Sequence, residues 1–265
     1  MPYVYIDDTN AIEQLDLKNG TYSISTKKQE TLVHAKKSEQ FLVQIKERAG
    51  SIGIRLNEGK TKMLCISLNP NNNVNSYINI NNMRVCSTNK LKITGFVFGN
   101  TPTAHEHIIH IKQKFYTRMW AIRNLKCSGF NKSDLASFYA TFLRPVIEFC
   151  VAVYASFLTK HQEEELERLQ KNAINFITGG YRSYTAACKE CGLERLSERR
   201  KNLTEKFALK AVRSERFGEK WFPLKKQHGY KTRNEENFFQ NRPRTTRMKK
   251  GPLYHMTNIL NVLSN

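Results

Sequence analysis

Acidic residues are scarce in this 265-residue chain: 23 Asp+Glu stand against 43 Lys+Arg, leaving a formal net charge of +20. One-signed charge of that size exceeds what solubility asks for and points to a polyanionic partner, nucleic acid first and an anionic membrane surface second. A secretory opening is also missing, since no basic stretch leading into an apolar core and a small-residue cleavage site stands at the start. Secretion is therefore not expected, and the six cysteines are expected to be mostly reduced thiols in a nuclear or cytoplasmic protein. No apolar run reaches the ~20 clean residues that a membrane span needs. The longest, FYATFLRPVIEFCVAVYASFL, is interrupted by Arg144, Pro145 and Glu148 and reads as a buried helix. No internal repeat is present.

At 40% hydrophobic residues the chain has enough apolar material for one large core or two small ones. Short β-like runs share the first hundred residues with one helical pattern, and helical punctuation dominates afterwards, so the expected class is α+β. YVYI before Asp7, MLCISL at 63–68 and LKITGFVFG at 91–99 have the composition of strands. The glycine in the last of them is expected to let another backbone approach closely. QFLVQIKERAGSIG carries apolar residues at helical spacing, with Phe41, Leu42 and Ile45 on one side. The Asn-rich NPNNNVNSYININN reads as a solvated loop or hairpin connection.

Beyond residue 104, Ile108, Ile111, Phe115, Met119 and Ile122 form one apolar stripe, with Gly129 in position to end the helix. Asn131 supplies a capping oxygen for the next helix, and Pro145 is expected to kink or divide it. Thr159 to Gln162 fits a capping box, opening a helix that buries Leu166, Leu169, Ala173 and Ile177 before Gly179-Gly180 stops it. Helices around 184–191 and 197–213 complete a bundle, and the rest is expected to be a basic, irregular tail.

Several constellations invite chemistry. Tyr5-Ile6-Asp7-Asp8 places two adjacent carboxylates at the end of a strand candidate. Such a pair can hold divalent cations that activate a hydroxyl and stabilise a pyrophosphate leaving group, although Asp7-Asp8-Thr9-Asn10 also makes a good turn. His105, His107 and His110 cluster without forming H-E-x-x-H, and their place at the start of a striped helix favours ordinary polar or interfacial roles over metal. Cys188 and Cys191 form a lone C-x-x-C with no second pair at zinc spacing, which favours core cysteine. The stretch from Lys225 to Lys250 mixes cations, among them Arg242, Arg244, Arg247, Lys249 and Lys250, with Trp221, Phe222, Tyr230, Phe238 and Phe239 interleaved or adjacent. It reads equally as an RNA or single-strand contact and as a basic extension without specificity.

The strings YVYIDDT, GIRLNEGKTKMLCIS and NKLKITGFVFG, in that order, resemble the second half of the reverse transcriptase palm of LINE-type (non-LTR, jockey-like) retrotransposons. The resemblance continues through the helical region, in the Arg-Pro…Glu-aromatic, Glu-Arg-x-Gln-Lys and Gly-Leu…Leu…Arg-Arg signatures, and reaches KKGPLYHMTNILN, so it covers nearly the whole chain.

The resemblance implies a partial palm over 1–100, a thumb-like helical region over 101–217 that tracks template and primer, and a basic C-terminal tail over 218–265. It implies RNA-directed DNA polymerisation, a nucleotidyl transfer through two Mg²⁺ ions, with Asp7 and Asp8 as metal ligands and Tyr5 beside the primer terminus. Lys60 matches the palm lysine near the triphosphate. Gly95, with Thr94 and Phe96, matches the hairpin that grips the primer, where Thr94 departs from the family's usual leucine. Implied partners are an RNA template and DNA primer or RNA–DNA duplex, with the missing N-terminal half of the polymerase as a further one, and no membrane. In the family, a third carboxylate and the fingers precede this box, so Asp7 and Asp8 alone make half a site, as a truncated element copy or partial gene model would. The alternative expectation is a non-catalytic remnant that keeps only the grip on template–primer duplex or RNA.

Overall fold

The computed structural model describes residues 40, 43–53, 61–66, 77–80, 83–180, 183–224, 238–240 and 242–263. Contacts divide the chain into two units, Met1–Leu91 and Lys92–Asn265. Among the described residues helices predominate over short two-stranded sheets, in keeping with an α+β class.

In the first unit, residues 43–51 are helical, as the apolar spacing predicts, while Phe41 and Leu42 lie outside the described residues. Strands β1 (Tyr77–Ile80) and β2 (Met83–Cys86) pair antiparallel, with Tyr77 opposite Cys86 and Ile80 opposite Met83. Tyr77–Ile80, at the end of the Asn-rich stretch expected to be a solvated loop or a hairpin connection, is itself one of two antiparallel strands. Its Tyr and two Ile suit a pleated strand, and a partner four residues long outweighs the turn preference of the intervening Asn. The strand expected over MLCISL is reduced, across 63–66, to one parallel bridge between Met63 and Ser87, with Thr88 N donating to Met63 O at 2.8 Å. The first strand candidate, YVYI, lies outside the described residues.

The run LKITGFVFG forms two strands, β3 (Lys90–Ile93) and β4 (Phe96–Gly99), joined at Thr94-Gly95. Both joining residues take positive φ, +47° and +95°, which is the mirror-image turn whose twist matches that of a hairpin.

Helix α1 (His105–Cys127) packs against β4. Its stripe of Ile108, Ile111, Phe115, Met119 and Ile122 is buried as the sequence predicts, and Gly129 at φ +86° turns the chain away. Asn131 Oδ1 accepts from Asp134 N at 2.9 Å to open α2 (Lys132–Phe138).

The long apolar run then breaks into pieces: a π-helical turn over Tyr139–Leu143, α3 (Arg144–Glu148), α4 (Val151–Tyr154) and a 3-10 turn over Ala155–Phe157. Pro145 has no N–H to offer the carbonyl four residues back, and the widened turn before it accommodates its ring. Cys150, at φ +56°, separates α3 from α4. No single helix among the described residues is long and apolar enough to cross a membrane.

Helix α5 (Lys160–Thr178) opens on the predicted capping box, Thr159 N donating to Gln162 Oε1 at 3.0 Å and Gln162 N to Thr159 Oγ1 at 3.3 Å. It ends at Gly179 in the left-handed region, and Leu166, Leu169, Ala173 and Ile177 are buried as expected. Helices α6 (Tyr184–Glu190) and α7 (Leu196–Val212) follow within a residue or so of the predicted limits.

The C-terminal region corrects the irregular tail expected from composition. It holds α8 (Gly218–Trp221), α9 (Thr246–Lys249) and the twelve-residue α10 (Pro252–Leu263). Met256 and Leu260, one turn apart on α10, join Ala208, Ala211 and Phe222 in a second core cluster. The basic residues nearby hide that short apolar repeat in any count of composition.

Candidate nucleic-acid interface

Three of the signature motifs meet in the second unit. Glu148, from Arg-Pro…Glu-aromatic, sits between two guanidinium groups, with Arg144 Nε at 3.1 Å and Arg199 Nε at 2.8 Å. The Glu148 carboxylate raises the Arg199 pKa further. Glu167, from Glu-Arg-x-Gln-Lys, accepts from Tyr184 OH at 2.7 Å and from the backbone N–H groups of Leu196 and Ser197, both at 3.1 Å. It therefore caps the start of α7, where the flanking Arg195 supplies no side-chain cap. Arg200, nearly buried, brings Nη1 to 4.0 Å from the same carboxylate.

Gln170 is wholly buried. Its oxygen accepts from Tyr139 OH at 2.9 Å, while its nitrogen donates to Tyr184 OH at 2.9 Å and to Glu194 O at 2.8 Å. Burial pushes the Tyr139 and Tyr184 hydroxyls far above their usual range, so both stay protonated donors. These motif residues hold helices together. Arg168 and Lys171 of the same Glu-Arg-x-Gln-Lys motif are exposed.

The other sequence candidates sort cleanly. His107 is buried: its Nδ1 accepts from Val97 N at 3.4 Å, its ring lies 4.1 Å from that of Phe96, and the edge of Tyr154 is 5.4 Å away. Burial first, and His110 to a lesser degree, lower its pKa to about 4, opposed by the Phe149 backbone without a well-formed hydrogen bond. Among the described residues no group of three or more His, Cys, Asp or Glu side chains is placed to hold a metal ion. All six cysteines are free thiols. Cys188 is buried beside Ile174 and Ala187, with Cys191 packed against them, and burial raises both thiol pKa values, which suits core cysteines.

The state of His107 gives a pH prediction. A histidine whose folded pKa lies below its unfolded value takes up a proton more readily on unfolding. Its contribution is therefore full above pH ~6.5 and is lost as pH falls from there toward about 4, by on the order of 2–3 kcal/mol. Urea unfolding at neutral pH and near pH 4.5 should show a larger acid loss in the native chain than in His107→Phe. Equal losses would contradict it.

Tyr5, Asp7, Asp8 and Lys60 lie outside the described residues. Gly95 forms the tip of the β3–β4 turn, and a Cβ there would stand 3.0 Å from the ring of Phe149, so the glycine admits a side chain rather than the backbone expected. Arg242, Arg244, Arg247, Lys249 and Lys250 are all exposed around α9, whose start Thr245 caps by accepting from Met248 N at 3.2 Å. The aromatics expected beside them divide. Phe222 is core, Trp221 stacks on Phe217 at 4.6 Å, Phe238 is partly buried, Phe239 is exposed, and Tyr230 lies outside the described residues.

Helix α1 also carries an exposed flank beside its buried stripe. There Tyr116 and Trp120 project into solvent, 55% and 68% exposed, and Arg123 follows one turn on. Lys114 and Arg118, two residues off this pair, project from the other side of the helix. The Arg118 guanidinium lies 4.5 Å from the Phe142 ring centroid, with Nη1 donating to Phe142 O at 2.7 Å. The signal lay in the same helical projection, where 116, 120 and 123 share a face beside the core stripe. No known family, no curated protein and no solved structure matches this chain.

Proposed function

We propose that this chain is the C-terminal part of a LINE-type reverse transcriptase, with a partial palm followed by a thumb-like helical region, and that its described residues supply the grip on nucleic acid. The order of motifs supports the family reading. The observation that carries the grip is the group of five exposed cations, Arg242, Arg244, Arg247, Lys249 and Lys250, on a chain of net charge +20. Phosphates condense counterions, and a cluster of exposed Lys and Arg gains affinity by releasing them. Under this reading Asp7 and Asp8 bind Mg²⁺ for nucleotidyl transfer, with Tyr5 at the primer terminus and Lys60 and Gly95 beside the substrates, by resemblance alone.

The test is the salt dependence of binding to an RNA–DNA primer-template, measured by fluorescence anisotropy. Replacing the five cations by alanine should weaken binding and flatten the slope of log K against log salt, by as much as about 4 if every cation meets a phosphate. An unchanged slope removes the tail from the interface. Primer extension in Mg²⁺, abolished by Asp7→Ala and by Asp8→Ala, would establish a polymerase. Binding that both substitutions leave intact, without extension, would mark a non-catalytic remnant.

A further inference from the structure

The five exposed cations around α9 enclose two hydroxyls. Arg242 and Arg244 precede Thr245 and Thr246, while Arg247, Lys249 and Lys250 follow them, and both threonines are exposed. The sequence holds no Asp or Glu from residue 237 to residue 265, so this stretch has no anion of its own. A phosphoryl group on one hydroxyl would set about −1.5 to −2 charge where every other charge is positive.

Recognition narrows the choice of hydroxyl. A protein kinase that selects basic substrates reads arginine at a fixed distance before the acceptor, because the guanidinium fork pairs with carboxylates lining its cleft. Arginine stands three residues ahead of a hydroxyl at Arg48–Ser51, Arg84–Ser87, Arg182–Thr185 and Arg242–Thr245. Ser51 ends a helix, with its Oγ donating to Arg48 O at 2.8 Å; Ser87 is half-buried in the bridge to Met63; Thr185 lies within α6. Thr245 is exposed and extended, at φ −128° and ψ 153°, which is the form a substrate takes across a kinase cleft. The single turn of α9 that follows buries no residue, so the segment leaves the surface without disturbing a core cluster.

We infer that Thr245 is the acceptor of an arginine-directed protein kinase, and that its phosphate switches off the grip of the surrounding cations on nucleic acid. Thr245 Oγ1 attacks the γ-phosphorus of MgATP held by the kinase. The Oγ1–P bond forms, the bond from that phosphorus to the bridging oxygen of ADP breaks, and the hydroxyl proton passes to the kinase's base. The phosphate then accepts charge-assisted hydrogen bonds from guanidinium groups next to it in the chain, which are lost to an outside strand. The switch rests on the proposed function for its effect, whereas the acceptor rests on recognition chemistry alone.

The experiment treats the full chain with a purified arginine-directed Ser/Thr kinase and MgATP, maps the phosphate by mass spectrometry, and measures primer-template binding by anisotropy across a salt series. Thr245 should be the principal phosphorylated residue, and Arg242→Ala should slow its modification at least about 10-fold. With about two of five cations neutralised, the slope of log K against log salt should fall by about 2, and affinity in 0.1 M salt by about 10- to 100-fold. Phosphatase should restore both, and Thr245→Ala treated with the kinase should bind like the unmodified chain. Phosphate found elsewhere with Thr245 unmodified overturns the acceptor. A modified Thr245 whose slope stays within about 0.5 of the native value overturns the switch. An unmodified chain that shows no salt-dependent binding overturns the proposed function and the switch together, while the mass spectrum still decides the acceptor.

Discussion

Gln170→Leu is expected to cost the fold about 3–5 kcal/mol, measured as a shift in the urea midpoint at constant m-value. Leucine branches one carbon earlier than glutamine and is shorter, so a small void adds to the loss of hydrogen bonds. Three groups lose a partner together: Tyr139 OH, Tyr184 OH and the Glu194 carbonyl. Tyr184 keeps Glu167, but Tyr139 is fully buried and finds no water. Each buried polar group left without a partner costs roughly 1–3 kcal/mol. Adding Tyr139→Phe to Gln170→Leu should return part of the loss, because removing both partners strands neither. A single-variant loss under about 1 kcal/mol, or a double variant that is simply additive, would show the network to be slack.

Gly218→Ala is expected to lower stability by about 2–4 kcal/mol through overpacking. An added Cβ would meet the Val212 carbonyl oxygen at 2.2 Å and its carbon at 3.2 Å. Both are backbone atoms at the last turn of α7, so no side chain can rotate out of the way. Gly218 also donates to Ser214 O at 2.7 Å and accepts from Phe222 N at 2.8 Å, which ties the position of Phe222, and with it the cluster containing Met256 and Leu260, to this one approach. Amide exchange should rise first along α10. Gly180→Ala, where nothing lies within 4 Å, is the control and should stay within about 0.5 kcal/mol of the native chain. Equal effects at the two sites would refute the close approach.

Local rules made much of the second unit readable. The buried stripe of α1, the caps at Asn131 and Thr159, and the glycine stops at 129 and 179 each depend on residues within a turn or two of one another. Pairing was less readable, because a strand exists only where a partner does. Tyr77–Ile80 has Met83–Cys86 beside it and becomes a strand, while the more apolar 63–66 finds a single bridge. The close contact at Gly218 joins residues six apart through a chain reversal, which no periodicity records. The Glu167 and Gln170 partners lie 14 to 31 residues distant, so those motifs could be recognised in the sequence while their structural work stayed hidden. The site offered a mirror image of this. The cations around α9 were visible as composition, whereas the exposed Tyr116 and Trp120 of α1 needed the helical projection carried past its buried stripe.

The carboxylate that starts α7 has a bearing on the order in which the chain assembles. Helix α5 carries its own capping box within four consecutive residues, so it can begin from local sequence. The first amides of α7 are held by Glu167, 29 and 30 residues upstream. A nascent helix must close its first turn before any later hydrogen bond rewards it, and α7 lacks the local group that would ease that step. Helix α5 therefore acts as a template, and α7 winds from a starting point that only a finished neighbour provides. The cap's location in the sequence is, in effect, a timing instruction.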